Sequence, residues 1–532
     1  MHSARRGTAM RVGAVAVALF ASAAAAHAVS FEAAPLGHWD VSGWVEGYAV
    51  LRTDQSSQRQ LPEGIIALQV TGDVHPKVRV FLDLRNTYGG PPEHATGFGL
   101  YNLRDTFQNI SPTVEIAESY LDLFLPSLDV RLGRQKFTWG RLDAFQPTDI
   151  VSPRWYNDPF VIDREEQKIG IPALQASYYP PALGAGWPQD LRATLIWVPF
   201  PVPPRFPLPG ERWYPPAYTL PSTTLVTPPP PAPGMPPVPD LLTNNTLTTA
   251  NNPPPWRLDE GAVGLRLSGL WRGADWDLYY YNGLETAPAF AFTTTLTATD
   301  QTQFRQCAQM QVQGPCMLDA DVVLHPINGR IQLGGGDVAF ESHGFTFRME
   351  GAFSANRFLP QSFTNLLSPA SLANATSPVC GQMTGESCLE KVAAMLANGK
   401  SVLVNLGDLF VRRDIVQWGA GVDYHWEGWV PEVQLNQTFI LNNDANLLIS
   451  NYDTSLFLVL RRPLFGDRLQ AEGAVLQGLV RSYTTGGVRF TYSITDHLRA
   501  RVGYLFIAGT RNSIVGEFGP NDEGYIQLRY SF

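Results

Sequence analysis

The chain is a succession of short segments in which apolar and polar residues alternate, and the spacing between those segments constrains the fold more than any one of them. Nine can be marked in the first part: Val41 to Arg52, Ile65 to Val74, Val78 to Arg85, Val114 to Leu125, Leu128 to Phe137, Gly170 to Tyr179, Asp190 to Val198, Gly261 to Trp271 and Asp275 to Gly283. Nine more follow: Gly329 to Phe340, Gly344 to Ala355, Ile415 to Trp426, Val430 to Leu441, Thr454 to Arg462, Arg468 to Arg481, Thr484 to Ile494, Leu498 to Ile507 and Glu523 to Phe532. A period of two belongs to a strand whose faces meet unlike surroundings. Tight turns such as His75-Pro76-Lys77 and Arg272-Gly273-Ala274 alternate with long gaps at 86–113, 138–169, 199–260, 284–328 and 356–414. A sandwich has no reason to put its long connections at one end. The pattern predicts an all-β, antiparallel transmembrane barrel of about 18 strands with short periplasmic turns and long extracellular loops, both ends of the chain being periplasmic. Sixteen strands fit the same pattern.

The ends agree with this. Arg5, Arg6 and Arg11 precede an apolar stretch from Val12 to Ala26 and the small-x-small passage Ala26-His27-Ala28. That is the form of an export signal, too short for a permanent anchor. The expected division is residues 1–28 as signal peptide, 29–40 as a periplasmic N-terminal segment and 41–532 as the barrel with its loops. Cleavage after Ala28 removes three of 39 basic groups and none of 48 acidic ones, taking the formal net charge from −9 to about −12. Such an acidic chain implies no nucleic-acid partner. No later run reaches the roughly 18 to 20 apolar residues of a spanning helix.

The last strand puts Ile526, Leu528, Tyr530 and the terminal Phe532 on one face and Gln527 and Arg529 on the other. It is expected to pair with Val41 to Arg52 and to be read by the barrel-assembly machinery. The 13 Trp, 19 Tyr and 28 Phe suit aromatic girdles at the two membrane interfaces. The expected surroundings are therefore the lipid and lipopolysaccharide of a Gram-negative outer membrane.

Strand parity assigns Arg79, Asp83, Arg85, Glu118, Asp122, Arg131, Arg348, Glu350, Arg499, Arg501 and Arg529 to the lumen. Three residues resist it. Arg134 and Lys136 share the parity of the apolar Val130 and Leu132, and Glu115 raises the same difficulty. If that face is lipidic, the two cations must snorkel at its extracellular end.

The loops carry the remaining chemistry. Pro199 to Trp256 contains Pro228-Pro229-Pro230 and Pro253-Pro254-Pro255; proline fixes φ and donates no ladder bond, so no strand is expected there, only a semi-rigid cover over the mouth or a mobile loop. Leu389 to Leu396 is a short helix candidate with Leu389, Val392, Ala393 and Leu396 on one face. Cys307 with Cys316 and Cys380 with Cys388 fall in polar segments lacking strand character and are expected to form two local disulfides. The run Leu333-Gly334-Gly335-Gly336-Asp337 is no phosphate loop, since no Lys-Ser or Lys-Thr follows it; its glycines relieve crowding in a bent strand.

Chemistry is densest after the fifth strand, from Gly133-Arg134-Gln135-Lys136 through Trp139-Gly140-Arg141-Leu142-Asp143 to Asp149, Pro153, Arg154, Asp158, Asp163, Arg164, Glu165, Glu166 and Lys168. Inside a narrowed pore these charges would set selectivity; at the rim they would only pin their own loop. The stretch from Leu132 to Pro153, with its Gly-Arg-Gln, Trp-Gly and Asp-Ile-Val-Ser-Pro elements, resembles the proteobacterial DUF1302 family. Tyr279-Tyr280-Tyr281, Phe347-Arg348-Met349-Glu350 and the proline-arginine passage near Pro203 to Pro209 extend the resemblance. It implies a porin-like outer-membrane barrel, with Gly133, Arg134, Trp139, Gly140, Asp143, Asp149 and Pro153 matching the family pattern. The long proline-rich insertion departs from it.

Catalysis is not expected. His38, His75, His94, His325, His343, His425 and His497 come with no G-x-S-x-G elbow and no H-E-x-x-H helix, and Glu165-Glu166 alone does not make a glycosidase. No metal and no cofactor are implied. The sequence therefore points to a channel for passive passage of small solutes, hydrophobic or anionic ones among them. The alternatives are a closed barrel serving as a structural or adhesive surface protein and, third, a barrel-embedded hydrolase.

Overall fold

A computed structural model describes residues 28–52, 63–89, 113–156, 163–182, 184, 186–204, 207, 212–216, 219–226, 239–249, 257–286, 289–309, 314–327, 329–361, 377–380, 386–404, 410–442, 447, 450–510, 513 and 515–532. A short β1 (Val29–Glu32) folds back on the start of β2 (His38–Arg52), and β3 (Glu63–His75), β4 (Val78–Gly89), β5 (Thr113–Leu125), β6 (Leu128–Gln135), β7 (Ile171–Tyr178) and β8 (Gln189–Val198) follow as an antiparallel meander. After an excursion containing β9 (Thr223–Val226) and β10 (Leu241–Thr249), β11 (Ala262–Trp271) rejoins β8 and pairs with β12 (Ala274–Leu284). A second excursion holds β13 (Ala289–Ala298), helix α1 (Gln301–Ala308) and β14 (Cys316–Ile327) before β15 (Arg330–Ser342) and β16 (Phe345–Pro360) continue the wall. A third holds helix α2 (Glu386–Ala397) and β17 (Val402–Val404). The wall is completed by β18 (Phe410–Tyr424), β19 (Val430–Leu441), β20 (Tyr452–Leu464), β21 (Leu469–Gly478), β22 (Tyr483–Ser493), β23 (Leu498–Gly509) and β24 (Glu523–Ser531).

β24 returns to β2, with Trp44 opposite Ser531 and Arg52 opposite Glu523. β2 thus has a wall neighbour on each side, and the ladder is a closed antiparallel barrel of 18 strands, β1 lying outside the ring. The sixteen-strand alternative falls. Closure matters because an open edge would leave a row of unpaired N–H and C=O groups, which hydrocarbon cannot solvate.

Outward side chains form a continuous apolar band: Leu132 is 58% exposed, Leu278 55%, Met349 49% and Ile526 48%. Leu195, Leu265, Leu458, Val488 and Val502 extend it around the ring. So much exposed hydrocarbon is far beyond the few hundred Å² a water-facing monomer tolerates, and it is the outer surface of a barrel that sits in lipid. Aromatic residues mark its rims, with Trp271, Trp426 and Phe465 at the short-turn end. Among the described residues no helix is long and apolar enough to cross a membrane.

Local departures from a regular strand place two of the three awkward charges, Glu115 and Arg134, and the third, Lys136, follows the end of β6. The β4–β5 register shifts between Asp83 and Leu84, where the partners step from Glu118 to Ile116 and leave Ala117 as an extra residue. That bulge turns Glu115 to the interior beside Arg85. On β6, Gly133 has φ 139°, and the twist there swings Arg134 inward, where it is 2% exposed. Its Nε donates to the Ala117 carbonyl at 3.3 Å and its Nη2 to Glu115 at 3.4 Å. The bulge changes the parity of β5 partway along, and Arg134 need not snorkel because its guanidinium is buried against Ala117 and Glu115.

The excursions are not the bare loops expected. β9 and β10 form in the proline-free stretches TTLV and LLTNNTLTT, so the proline-rich connection does contain strands. With β13, β14 and β17 they make a second, five-stranded sheet in which β10 runs parallel to β14. Cys316 opens β14, contrary to its expected lack of strand character, and is joined to Cys307 of α1 by a disulfide. Val392 and Leu396 of α2 bury against Phe304, Cys307, Cys316 and Leu318. The helix expected over 389–396 therefore caps this second sheet. The side chains of Cys380, Cys388 and Leu389 lie outside the described residues. Phe290 and Phe292 of β13 pack with Phe358 of β16 and Phe410 of β18, which seats the second sheet on the long-loop end of the barrel.

Candidate functional site

Most of the eleven charges assigned to the lumen are engaged with other residues. Asp83 binds Arg85 at 3.1 Å, Asp122 binds Arg131 at 2.6 Å, and Arg79 binds Asp73 at 2.7 Å near the short-turn end. Glu118 accepts the backbone N–H of Lys136 at 2.9 Å. Arg348 pairs with Asp423 at 2.5 Å and reaches Asp143 at 3.4 Å. Glu350, Arg501 and Arg529 serve a different purpose, which is to hold the segment between β6 and β7.

That segment enters the barrel instead of standing at its rim. It leaves β6 and lays Trp139 on the Tyr279 ring, centroids 4.9 Å apart, on the inner face of β12. Gly140, at φ 84°, lies against the Glu350 carboxylate where a Cβ would clash. The neighbouring N–H of Arg141 donates to Glu350 at 3.0 Å, and the other oxygen of that carboxylate accepts from both the N–H and the hydroxyl of Thr148 at 2.8 and 2.7 Å. Arg141 spans two buried carboxylates, Asp337 at 2.6 Å and Asp277 at 2.8 Å. Further along, the N–H groups of Asp143 and Ala144 donate to Gln434 of β19. One end of the segment is thus fastened to β12, β15, β16 and β19.

Its other end is fastened to the facing wall. Asp163 accepts from Arg489 at 2.8 Å and Arg501 at 3.4 Å, and Glu166 accepts from Arg529 at 3.0 Å. Between the two ends it is braced internally: Asp149 takes the Trp139 N–H and pairs with Arg154 and Lys168, and the Pro153 carbonyl accepts from Ile169. Every matched motif position that is described therefore has a part in folding this inward segment. Asp158 lies outside the described residues.

The titratable groups of the segment respond to this enclosure. Burial, with Arg85 nearby, holds the Lys136 ammonium below its ordinary range. Against the burial that would lower it, the bonds to Asp277 and Asp337 keep the Arg141 guanidinium above its own. Burial and the neighbouring Arg154 bring Arg164 down to about 10. Glu165 stays below the usual carboxylate range because the bonds from Thr138 and Lys168 outweigh its burial.

Two cavities lie on either side of this crossing. One of about 600 Å³ faces the long-loop end, between residues 143–164 of the segment and the inner faces of β20 to β23. The other, about 610 Å³, opens toward the short-turn end beneath Asp163 and Glu166. Asp163, Glu472 and Arg489 line both, so these charges stand between the cavities. The second is lined by Arg461, Arg462, Arg489, Arg499, Arg501 and Arg529 against Asp163, Glu166, Glu472 and Asp496, an excess of cationic groups.

The connection from β8 to β11 adds a strap on the long-loop side. Arg212 crosses to Glu523 at 3.0 Å and to the Asn521 carbonyl at 2.7 Å, while Trp213 packs on Phe518. Its anchors lie on the far side of the ring from β8. Among the described residues there is no group of three His, Cys, Asp or Glu placed to hold a metal ion.

No family model matches the chain, and no curated protein matches it. Its backbone is similar to those of several solved structures. OmpF of Salmonella typhi in complex with daunomycin is 10% identical at a TM-score of 0.38, over 95% of this chain and 100% of that one. OccK8 (OprE) of Pseudomonas aeruginosa is 8% identical at 0.44, over 93% and 98%. OccAB1 of Acinetobacter baumannii is 9% identical at 0.43, over 93% and 96%.

Proposed function

We propose that the protein is a porin-like channel of a Gram-negative outer membrane that passes small solutes by passive diffusion and favours anions. The observation that carries this reading is the pair of cavities of about 600 and 610 Å³ inside the barrel with Asp163, Glu472 and Arg489 between them, the lower one ringed by excess arginine. A charged constriction held by opposed ion pairs narrows the path while leaving its surface wet, which is how charged rings select in wide barrels. The short-turn end is then periplasmic, and the leader of residues 1–28 is an export signal.

The likeness to DUF1302 belongs to the same reading. Its motif residues Gly133, Arg134, Trp139, Gly140, Asp143, Asp149 and Pro153 are those that fold the constriction. Lipopolysaccharide is the expected neighbour of the outward apolar band, and β24 with the terminal Phe532 is the segment expected to meet the assembly machinery.

Planar-bilayer recording tests the channel. Purified, folded protein should give discrete openings in KCl with a reversal potential on the anion side, and folded protein without openings would end this reading. One observation favours the alternative of a closed surface barrel: Arg212 and Trp213, from the connection that follows β8, are anchored on β23 and β24 at the long-loop end. Liposome swelling with uncharged sugars separates the two, since a closed barrel admits none.

A further inference from the structure

The charges around the upper cavity can be paired off, and one remains. Of its carboxylates, Asp149 is bound by Arg154 and Lys168, Asp163 by Arg489 and Arg501, Glu472 by Arg461 and Arg489, and Asp143 by Arg348. Of its arginines, Arg154 and Arg489 are used in those pairs, and Arg357 is bound to Glu285 at 2.5 Å. Arg164 is left. Its one hydrogen bond runs from Nη1 to the backbone carbonyl of Asp143 at 3.0 Å, and among the described residues no carboxylate is within ion-pair distance of it. A half-buried guanidinium with five donors and one neutral acceptor is an incomplete site.

The facing wall is of another character. Phe457 on β20, Leu476 on β21 and Leu505 on β23 line the cavity from neighbouring rows of the wall, one row pairing Phe457 with Leu476 and the next running from Ala474 through Gly487 to Leu505. Phe145 of the crossing segment, two residues from the Asp143 carbonyl that Arg164 holds, also lines the cavity. Ala474 and Gly487 lie between the larger residues and keep the space open.

We infer that the upper cavity is a saturable binding site for amphiphilic monoanions, small carboxylates with an apolar body, in which Arg164 takes the carboxylate and Phe145, Phe457, Leu476 and Leu505 take the hydrocarbon. The volume of about 600 Å³ suits a solute of this kind. One unpaired cation sets the charge at one, and the apolar wall separates such solutes from inorganic anions. The inference deepens the channel reading and rests on it for its purpose, since the solute would be held here before passing Asp163.

Isothermal titration of the folded full-length mature chain in amphipol with hexanoate, 1-hexanol and inorganic phosphate tests the site directly. Hexanoate should bind saturably, at least about tenfold more tightly than either other probe, and Arg164→Gln should remove about that factor while Arg164→Lys keeps part of it. Affinity should also fall as pH rises through about 10, where Arg164 loses its charge. Equal binding of hexanoate and hexanol, equal binding of hexanoate and phosphate, or an unchanged Arg164→Gln each overturns the inference. Conductance of the same preparation is read separately: openings without hexanoate binding leave the channel standing and the site refuted, and binding without openings does the reverse.

Discussion

Arg141 shows how a single side chain can carry a constriction. Asp277 and Asp337 are both fully buried, and each has one further partner, Arg266 at 2.7 Å for the first and the Tyr279 hydroxyl at 2.6 Å for the second. Removing Arg141 leaves the wall with too little positive charge, and breaking a buried pair on one side typically costs about 3–5 kcal/mol. The wall strands keep their ladders, so the loss falls on the attachment of the segment. Arg141→Ala should therefore give a folded barrel with larger and noisier single-channel conductance; unchanged conductance would mean that the segment does not set the narrowest point. Gly133 is a second critical residue. Its φ of 139° is closed to other L-residues, and a Cβ there would run into the Ser119 carbonyl. Gly133→Ala should lower the thermal midpoint by several degrees, the strain of such a backbone being about 1–3 kcal/mol. Gly473→Ala, on a site with no atom near the added methyl, should leave the midpoint where it is. Both are read by heat-dependent electrophoretic migration.

At the scale of elements, the wall strands are legible in the sequence because lipid on one side and charged interior on the other impose a contrast that repeats every second residue. The second sheet has no such contrast. β13 reads Ala-Phe-Ala-Phe-Thr-Thr-Thr-Leu-Thr-Ala, and neither face meets lipid, so its alternation fades into threonine. β9 and β10 are hidden differently, as short proline-free stretches within a connection whose composition argues against strands. The inward course of residues 136–156 and 163–170 is legible only as a density of charge and glycine. Its partners are 136 residues away in Asp277 and 291 away in Gln434, separations at which no local pattern points from one residue to the other. Because the second sheet has its own core around Phe304, Leu318 and Val392, it should yield independently of the barrel. Breaking the Cys307–Cys316 bond, which closes a loop of about ten residues, should cost it about 2–3 kcal/mol. Cys307→Ser with Cys316→Ser is then expected to speed proteolysis within 284–404 while the barrel band on a gel stays heat-modifiable; loss of the folded band would show that the two units are one.

The molecule as a whole carries more acidic than basic groups, yet its lower cavity has the opposite balance, six arginines against four carboxylates. Net charge therefore does not predict selectivity; the sign of the groups facing the narrow path does, because a low-dielectric wall focuses their field into the lumen. Arg499 is the simplest lever. It lines this cavity on β23 and makes none of the ion pairs that fasten the crossing segment, although its cross-strand partner Arg529 does. Arg499→Glu changes the local balance by two charges and Arg499→Gln by one, the latter adding no competitor for Arg529, so the reversal potential in a KCl gradient should move toward the cation side in both. Asp496→Asn, in the adjoining turn, should move it the other way. The same field should be visible in the wild-type chain through ionic strength alone: the screening length is about 10 Å at 0.1 M salt and about 3 Å at 1 M. Anion preference should accordingly be marked in dilute KCl and weak near 1 M. A preference independent of salt would place selectivity in close contacts at Asp163, Arg489 and Arg501, and one of opposite sign would remove the arginine vestibule from the path that ions take.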